Sequence, residues 1–309
     1  METRTWETLC IFDEPKNVKQ INFIESVLEM PNGVEDVIRI GWNNQLELKQ
    51  RQLAKDNIST EILPYHLDNS AQPLSALYEK NELKMWPGPV VSLKDIKESD
   101  YGIELLVGQT YFPFIEGLKN EKVSKLYEEQ RINKPRPALA ICTYALTQDN
   151  QITLTIRGPK TNIYPGRLYG QGGNPLFPDT NISKHQQGEM FDETHIEIKD
   201  YNPEAFSFGG IIVDKEQLLD KPDLVGWIPV NLESKLIQER MQNVSYENRS
   251  NDAIGVVFAP AMEGELFDYL ANKTHPIPYC PSAQGGLVLY GHHNFGNEWS
   301  DKLLEKLNR

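Results

Sequence analysis

The stretch QQGEMFDETHI, residues 186–196, places Glu189, Asp192 and Glu193 within one and a half helical turns. Positions i, i+3 and i+4 share one face of an α-helix, so on a helix these three carboxylates can converge on one point. Like charges that close repel unless a cation neutralises them. A hard divalent cation such as Mg²⁺ takes oxygen ligands and keeps waters or substrate phosphates in its other positions. It can also turn a bound water into an attacking nucleophile. The same spacing also fits a solvated acidic face, which is how most exposed acidic triplets behave.

The bulk composition narrows the setting. The chain has 309 residues, enough for two ordinary domains or one large one. Its formal net charge is -13, which argues against nonspecific binding to a nucleic-acid phosphate backbone but leaves room for a local phosphate site. Cys10, Cys142 and Cys280 are far apart and form no CxxC pair, so a reducing compartment is expected rather than a disulfide framework or zinc knuckle. METRTWETLCIFDEPKN carries acids and lacks the apolar core of a signal peptide, and no stretch approaches a membrane span. A cytoplasmic location without membrane association is the expectation.

Residues 1–132 read as a smaller α/β unit. LCIFDE, DVIRIGW and GIELLVG have strand composition, and KQINFIESVLEM, NQLELKQRQLAKDN and KNEKVSKLYEEQRIN have helical spacing. They contain no catalytic constellation and could serve substrate selection, homodimerisation or support. Residues 133–309 read as α+β, a mixed sheet with flanking helices. ALAICTYALT and QITLTIRG form a hairpin about Gln148-Asp149-Asn150. A loop rich in glycine and proline leads to a helix with Thr180 or Asn181 as N-cap, running to about Thr194. FSFGGIIV and LVGWIPV are further strands; NLESKLIQERMQN and GELFDYLANK are helices.

In order, the segment holds a hairpin, Arg157 at a strand end, Tyr164-Pro165-Gly166, the Gly172-Gly173 pair and then the carboxylate helix. This order resembles the Nudix hydrolase superfamily, in which a Gly-Gly loop leads into a helix ending Arg-Glu-apolar-x-Glu-Glu-x-Gly-apolar. The corresponding stretch is Gly188 to Ile196. The resemblance puts the family's metal-binding carboxylates on Glu189, Asp192 and Glu193, and its upstream acid near Asp179, with the spacing from Gly173 one residue longer than the pattern wants. It spans roughly residues 137–270, LVGWIPVNLES included. It implies a Nudix-like domain that hydrolyses a phosphoanhydride in a nucleoside-diphosphate-type substrate, with Mg²⁺ (or Mn²⁺) as cofactor. The alternative is a non-catalytic ligand-sensing or scaffold protein on the same fold; isomerase chemistry on a diphosphate, which relatives support, is a third. Two positions depart from the pattern: Gly188 stands for the arginine and His195 for the helix-ending glycine.

Glu189 and Glu193, with Glu263 from a late loop, are the candidate catalytic acids. Arg157, Lys160 and Arg167 could meet phosphates through charge-assisted bonds, and Gly172 and Gly173 could permit close substrate approach. Each has a plainer meaning, as a solvated charge or a turn. Glu263 and Glu265 also suit a helix N-terminus. His185 shares the carboxylate face; His292-His293 lacks partners for a zinc set; Cys142 suits an apolar strand; and Tyr164 and Trp227 suit packing as well as base stacking.

Overall fold

In the computed structural model, residues 5–26, 29–41, 89–99, 102–111, 117–118, 120–134, 136, 138–158, 161, 164–175, 181–216, 220–243, 253–272 and 275–308 are described. They form a mixed α+β protein with two sheets. The larger sheet has the order β1 (Trp6–Asn17), β9 (Ser207–Asp214), β10 (Lys221–Pro229), β5 (Ala140–Leu146), β6 (Gln151–Arg157), β11 (Ala253–Pro260). Only the β10–β5 pairing along this path is parallel. The smaller sheet has the order β2 (Ile21–Glu25), β4 (Gly102–Tyr111), β3 (Pro89–Ser99).

Alternation along β5 sorts the two faces of the larger sheet. Ile141 and Ala145 face a core shared with the smaller sheet, through Val91, Leu93, Ile103 and Leu105. Cys142 and Tyr144 face a second core built on the C-terminal helices α5 (Pro281–Phe295) and α6 (Asn297–Leu307). The carboxylate-bearing helix α2 (Ile182–Thr194) lies on the first face, where Ile182 and Met190 join that core.

Several expectations change. β1, inside the expected N-terminal unit, is an edge strand of the larger sheet, so the chain crosses between sheets before residue 21. Ile21–Glu25, inside a stretch expected to be helical, is a strand pairing in parallel with β4. Its apolar run is short enough that a tertiary partner decides between helix and strand. Residues 34–41, which take in most of the expected strand DVIRIGW (36–42), are helical. Val34, Val37 and Ile38 bury one face at helical spacing, which outweighs their β propensity. The expected helix NQLELKQRQLAKDN lies outside the described residues. KNEKVSKLYEEQRIN contains α1 (Glu121–Glu129), capped by Asn120.

The hairpin forms as expected, with a splay. Leu146 and Ile152 pair beside the turn, and the strands then diverge. β7 (Leu168–Tyr169) and β8 (Gln171–Gly173) fill the gap, β7 along β6 and β8 along β5. The buried Gln171 side chain bridges the fork, accepting from Ala145 N (3.0 Å) and donating to Thr153 O (3.0 Å).

Candidate active site

α2 is set in place from both ends. Asn181 caps its start by accepting from Lys184 N at 3.0 Å. Its end turns at His195, with φ 55° and ψ 28°, the left-handed conformation that the family glycine would supply. A non-glycine residue is uncommon there, and neighbours hold this one. Arg240, on α3 (Ser234–Asn243), donates to His195 O at 3.1 Å and pairs with Asp200. Burial opposes the Asp200 charge, but the Arg240 and Glu197 backbone bonds prevail and hold the carboxyl below its usual range.

The buried residues of α2 are Ile182, Gln186, Met190, Glu193 and Thr194. Thr194 donates back to Met190 O within the helix, while Gln186 and Glu193 find partners in the sheet. Gln186 accepts from Thr143 Oγ1 at 2.7 Å and donates to Ile141 O at 3.4 Å. Glu193, 3 % exposed, accepts from Gly172 N at 3.1 Å. Glu189 packs against the other glycine: a Cβ on Gly173 would lie 2.5 Å from Glu189 Oε1. The two carboxylates one turn apart therefore both meet the backbone of the Gly172-Gly173 pair. His185 lies on their side of the helix, its Nε2 3.7 Å from Glu189 Oε1.

The third acid is placed differently: Asp192 is exposed. Among the described residues, no three His, Cys, Asp or Glu side chains are grouped closely enough to hold a metal ion by themselves. Gly188 is exposed, and among the described residues no heavy atom lies within 4 Å of where its Cβ would be, so no side chain stands where the resemblance expects an arginine to begin.

Of the expected phosphate contacts, Arg157 ends β6 with its guanidinium 5.1 Å from the Tyr169 ring centroid. Arg167 is committed elsewhere, forking onto Glu216 at 3.0 and 2.9 Å and stacking 4.7 Å from the Tyr164 ring. That fork accounts for its guanidinium without a ligand. Lys160 and Asp179 lie outside the described residues. Glu263 and Glu265 are exposed in the first turn of α4 (Glu263–Ala271), where the helix dipole favours acids. The Glu263 carbonyl accepts from Trp299 Nε1 at 3.1 Å.

The remaining candidates are structural. Tyr164 is buried and donates to Asp214 at 2.8 Å. Trp227 packs edge-on to Tyr290 at 5.4 Å. His293 bonds Gly209 O at 2.9 Å and His292 bonds Ser300, so neither needs a metal to account for its place. Burial pushes the Cys142 thiol up to about 12, an inert packing group. Gln171, Gln186 and Arg240 were not foreseen as site-positioning residues.

No family model matches this chain, and no curated protein matches it. Similar solved structures include a hydrolase of the NUDIX family from Clostridium perfringens, with 9% identity over 54% of this chain and 97% of that one and a TM-score of 0.31. Others are a NUDIX hydrolase from Nitrosomonas europaea (14% identity, 50% and 88% covered, TM-score 0.31) and a MutT protein from Methanosarcina mazei Go1 (12%, 57% and 100%, TM-score 0.31).

Proposed function

We propose that this chain is a divalent-cation-dependent phosphohydrolase of Nudix type, cleaving a phosphoanhydride in a nucleoside-diphosphate-type substrate. The observation that carries the proposal is the joint approach of Glu189 and Glu193 to the Gly172-Gly173 backbone. A buried carboxylate is costly unless it is bonded or neutralised, and the Gly172 N–H bonds one oxygen of the buried Glu193. The donor set fits Mg²⁺ or Mn²⁺: two carboxylates beside a backbone free of side chains, leaving other positions for water and phosphate oxygens. When bound, such an ion neutralises phosphate charge and lowers the pKa of a coordinated water.

The chain's own residues supply the rest. Glu189 and Glu193 would hold the ion, and Gly173 leaves room for Glu189 beside the loop. Gln186 and Gln171 both bond β5, so the helix and the loop are fixed to one strand and the distance between acids and glycines is set by the sheet. Arg157 supplies a cation at the end of β6 for a phosphate oxygen. The space at Gly188 favours a second reading, a ligand-sensing protein without turnover, since no arginine there ties down the acids.

Purified protein with Mg²⁺, offered nucleotide sugars, dinucleotides and capped nucleotides, separates the two. Release of a nucleoside monophosphate that is lost in Glu193→Gln supports the hydrolase. Ligand binding without turnover, indifferent to Mg²⁺, supports the sensor and overturns the hydrolase.

A further inference from the structure

On the face of the large sheet opposite α2, a cavity of about 180 Å³ opens between β1, α5 and α6. Its lining mixes apolar side chains, Trp6, Val288 and Leu304 among them, with the polar His292, Ser300 and Asp301. An apolar cavity of roughly 150 Å³ accommodates benzene, so this one takes a single ring with a short substituent.

The hydrogen bonds fix the polarity of the polar lining residues. The Ser300 hydroxyl donates to Asn297 O at 2.9 Å. A hydroxyl has one proton, so at its 3.1 Å contact with His292 Nδ1 the Ser300 oxygen accepts and the imidazole donates. In the neutral ring this leaves His292 Nε2 as an acceptor. Asp301 adds an exposed carboxylate, also an acceptor. The Trp6 indole N–H is turned to Gln284 Oε1 at 3.1 Å. Among the described residues that line it there is no lysine or arginine.

We propose that this cavity is a binding site for a small organic ammonium ion with an aromatic or compact apolar body. The body sits against Trp6, Val288 and Leu304, and the ammonium donates to Asp301 and His292. A carboxylate beside apolar lining suits an ammonium ion on a compact apolar body, by charge and by burial of the body. The site is separate from the carboxylate pair on α2: the sheet lies between them, and β1 is the edge strand opposite β11 in the strand order.

Benzylamine, benzyl alcohol and benzoate are the probes, titrated into the full chain while the Trp6 indole N–H is followed by ¹H–¹⁵N NMR. Benzylamine is expected to shift that signal and to bind roughly 10-fold or more tighter than benzyl alcohol, with benzoate weakest. Asp301→Asn, at an exposed position, should bring benzylamine down to the level of the alcohol, and Leu304→Trp should abolish both by filling the cavity. Glu193→Gln should leave benzylamine binding unchanged. Equal binding of the amine and the alcohol, no shift with either, or full affinity in Asp301→Asn would overturn the proposal.

Discussion

Gly172 and Gly173 are adjacent and differ in what they make room for. A Cβ at 172 would lie 1.9 Å from the backbone oxygen of Ile141, inside the β8–β5 ladder. A Cβ at 173 would meet only the end of the Glu189 side chain, which can swing away. Gly172→Ala should therefore lower stability by about 3 kcal/mol in denaturant melts, because strands must shift. Gly173→Ala should melt close to the wild type yet lose divalent-cation binding, because the carboxylate is displaced. A Gly173→Ala protein that binds the ion normally would remove Glu189 from the site. Glu193→Gln should cut hydrolysis roughly 100-fold or more, measured as monophosphate release. At this scale the helical spacing made it legible that Glu189 and Glu193 share one side of a helix, but not that the Gly172-Gly173 backbone lies against them. The exposure of Asp192 was not legible either, since spacing alone cannot tell which flank of a helical face meets the sheet.

Among elements, the fork between β5 and β6 positions everything else. Gln171 closes it with one side-chain amide bonded to both strands. Gln171→Ala leaves the Ala145 N–H and the Thr153 carbonyl buried without that partner, and should cost about 2–3 kcal/mol by chemical denaturation. A cost near zero would mean that water replaces the amide. Such a bridge cannot be read from sequence, because a glutamine beside two glycines looks like a polar loop. The same limit hid the buried face of α2: Ile182 and Met190 share it with the polar Gln186, Glu193 and Thr194, so it carries no hydrophobic period. α5 was missed for a related reason. Glycine costs a helix interior about 1 kcal/mol each, yet at Gly286 and Gly291 its absence of side chain admits Tyr144 and Trp299 against the helix. Where burial and period agreed, as in β5, β6, β9 and β10, the elements fell where expected.

For the molecule as a whole, two cores lie back to back across one sheet, and a titrating group reports on the second. Burial lowers the His293 pKa below its usual 6.5, with His292 adding to the shift and the Gly209 carbonyl opposing it. The unfolded chain therefore binds this proton more readily, so the stability it contributes is present above pH 6.5 and lost as pH falls through the folded value. The melting temperature should drop between pH 7 and pH 5, and the drop should be smaller in His293→Gln; equal drops would contradict a buried neutral imidazole. The assignment of β1 to the larger sheet also belongs to this scale, since only a partner about 200 residues away reveals it. The central claim is that the α2 carboxylates and the glycine pair make a site for a divalent cation. Mn²⁺ titration followed by electron paramagnetic resonance tests it most directly. Saturable binding that is lost in both Glu189→Gln and Glu193→Gln is the predicted result; Mn²⁺ left free in the wild type, or bound equally by the variants, would contradict it.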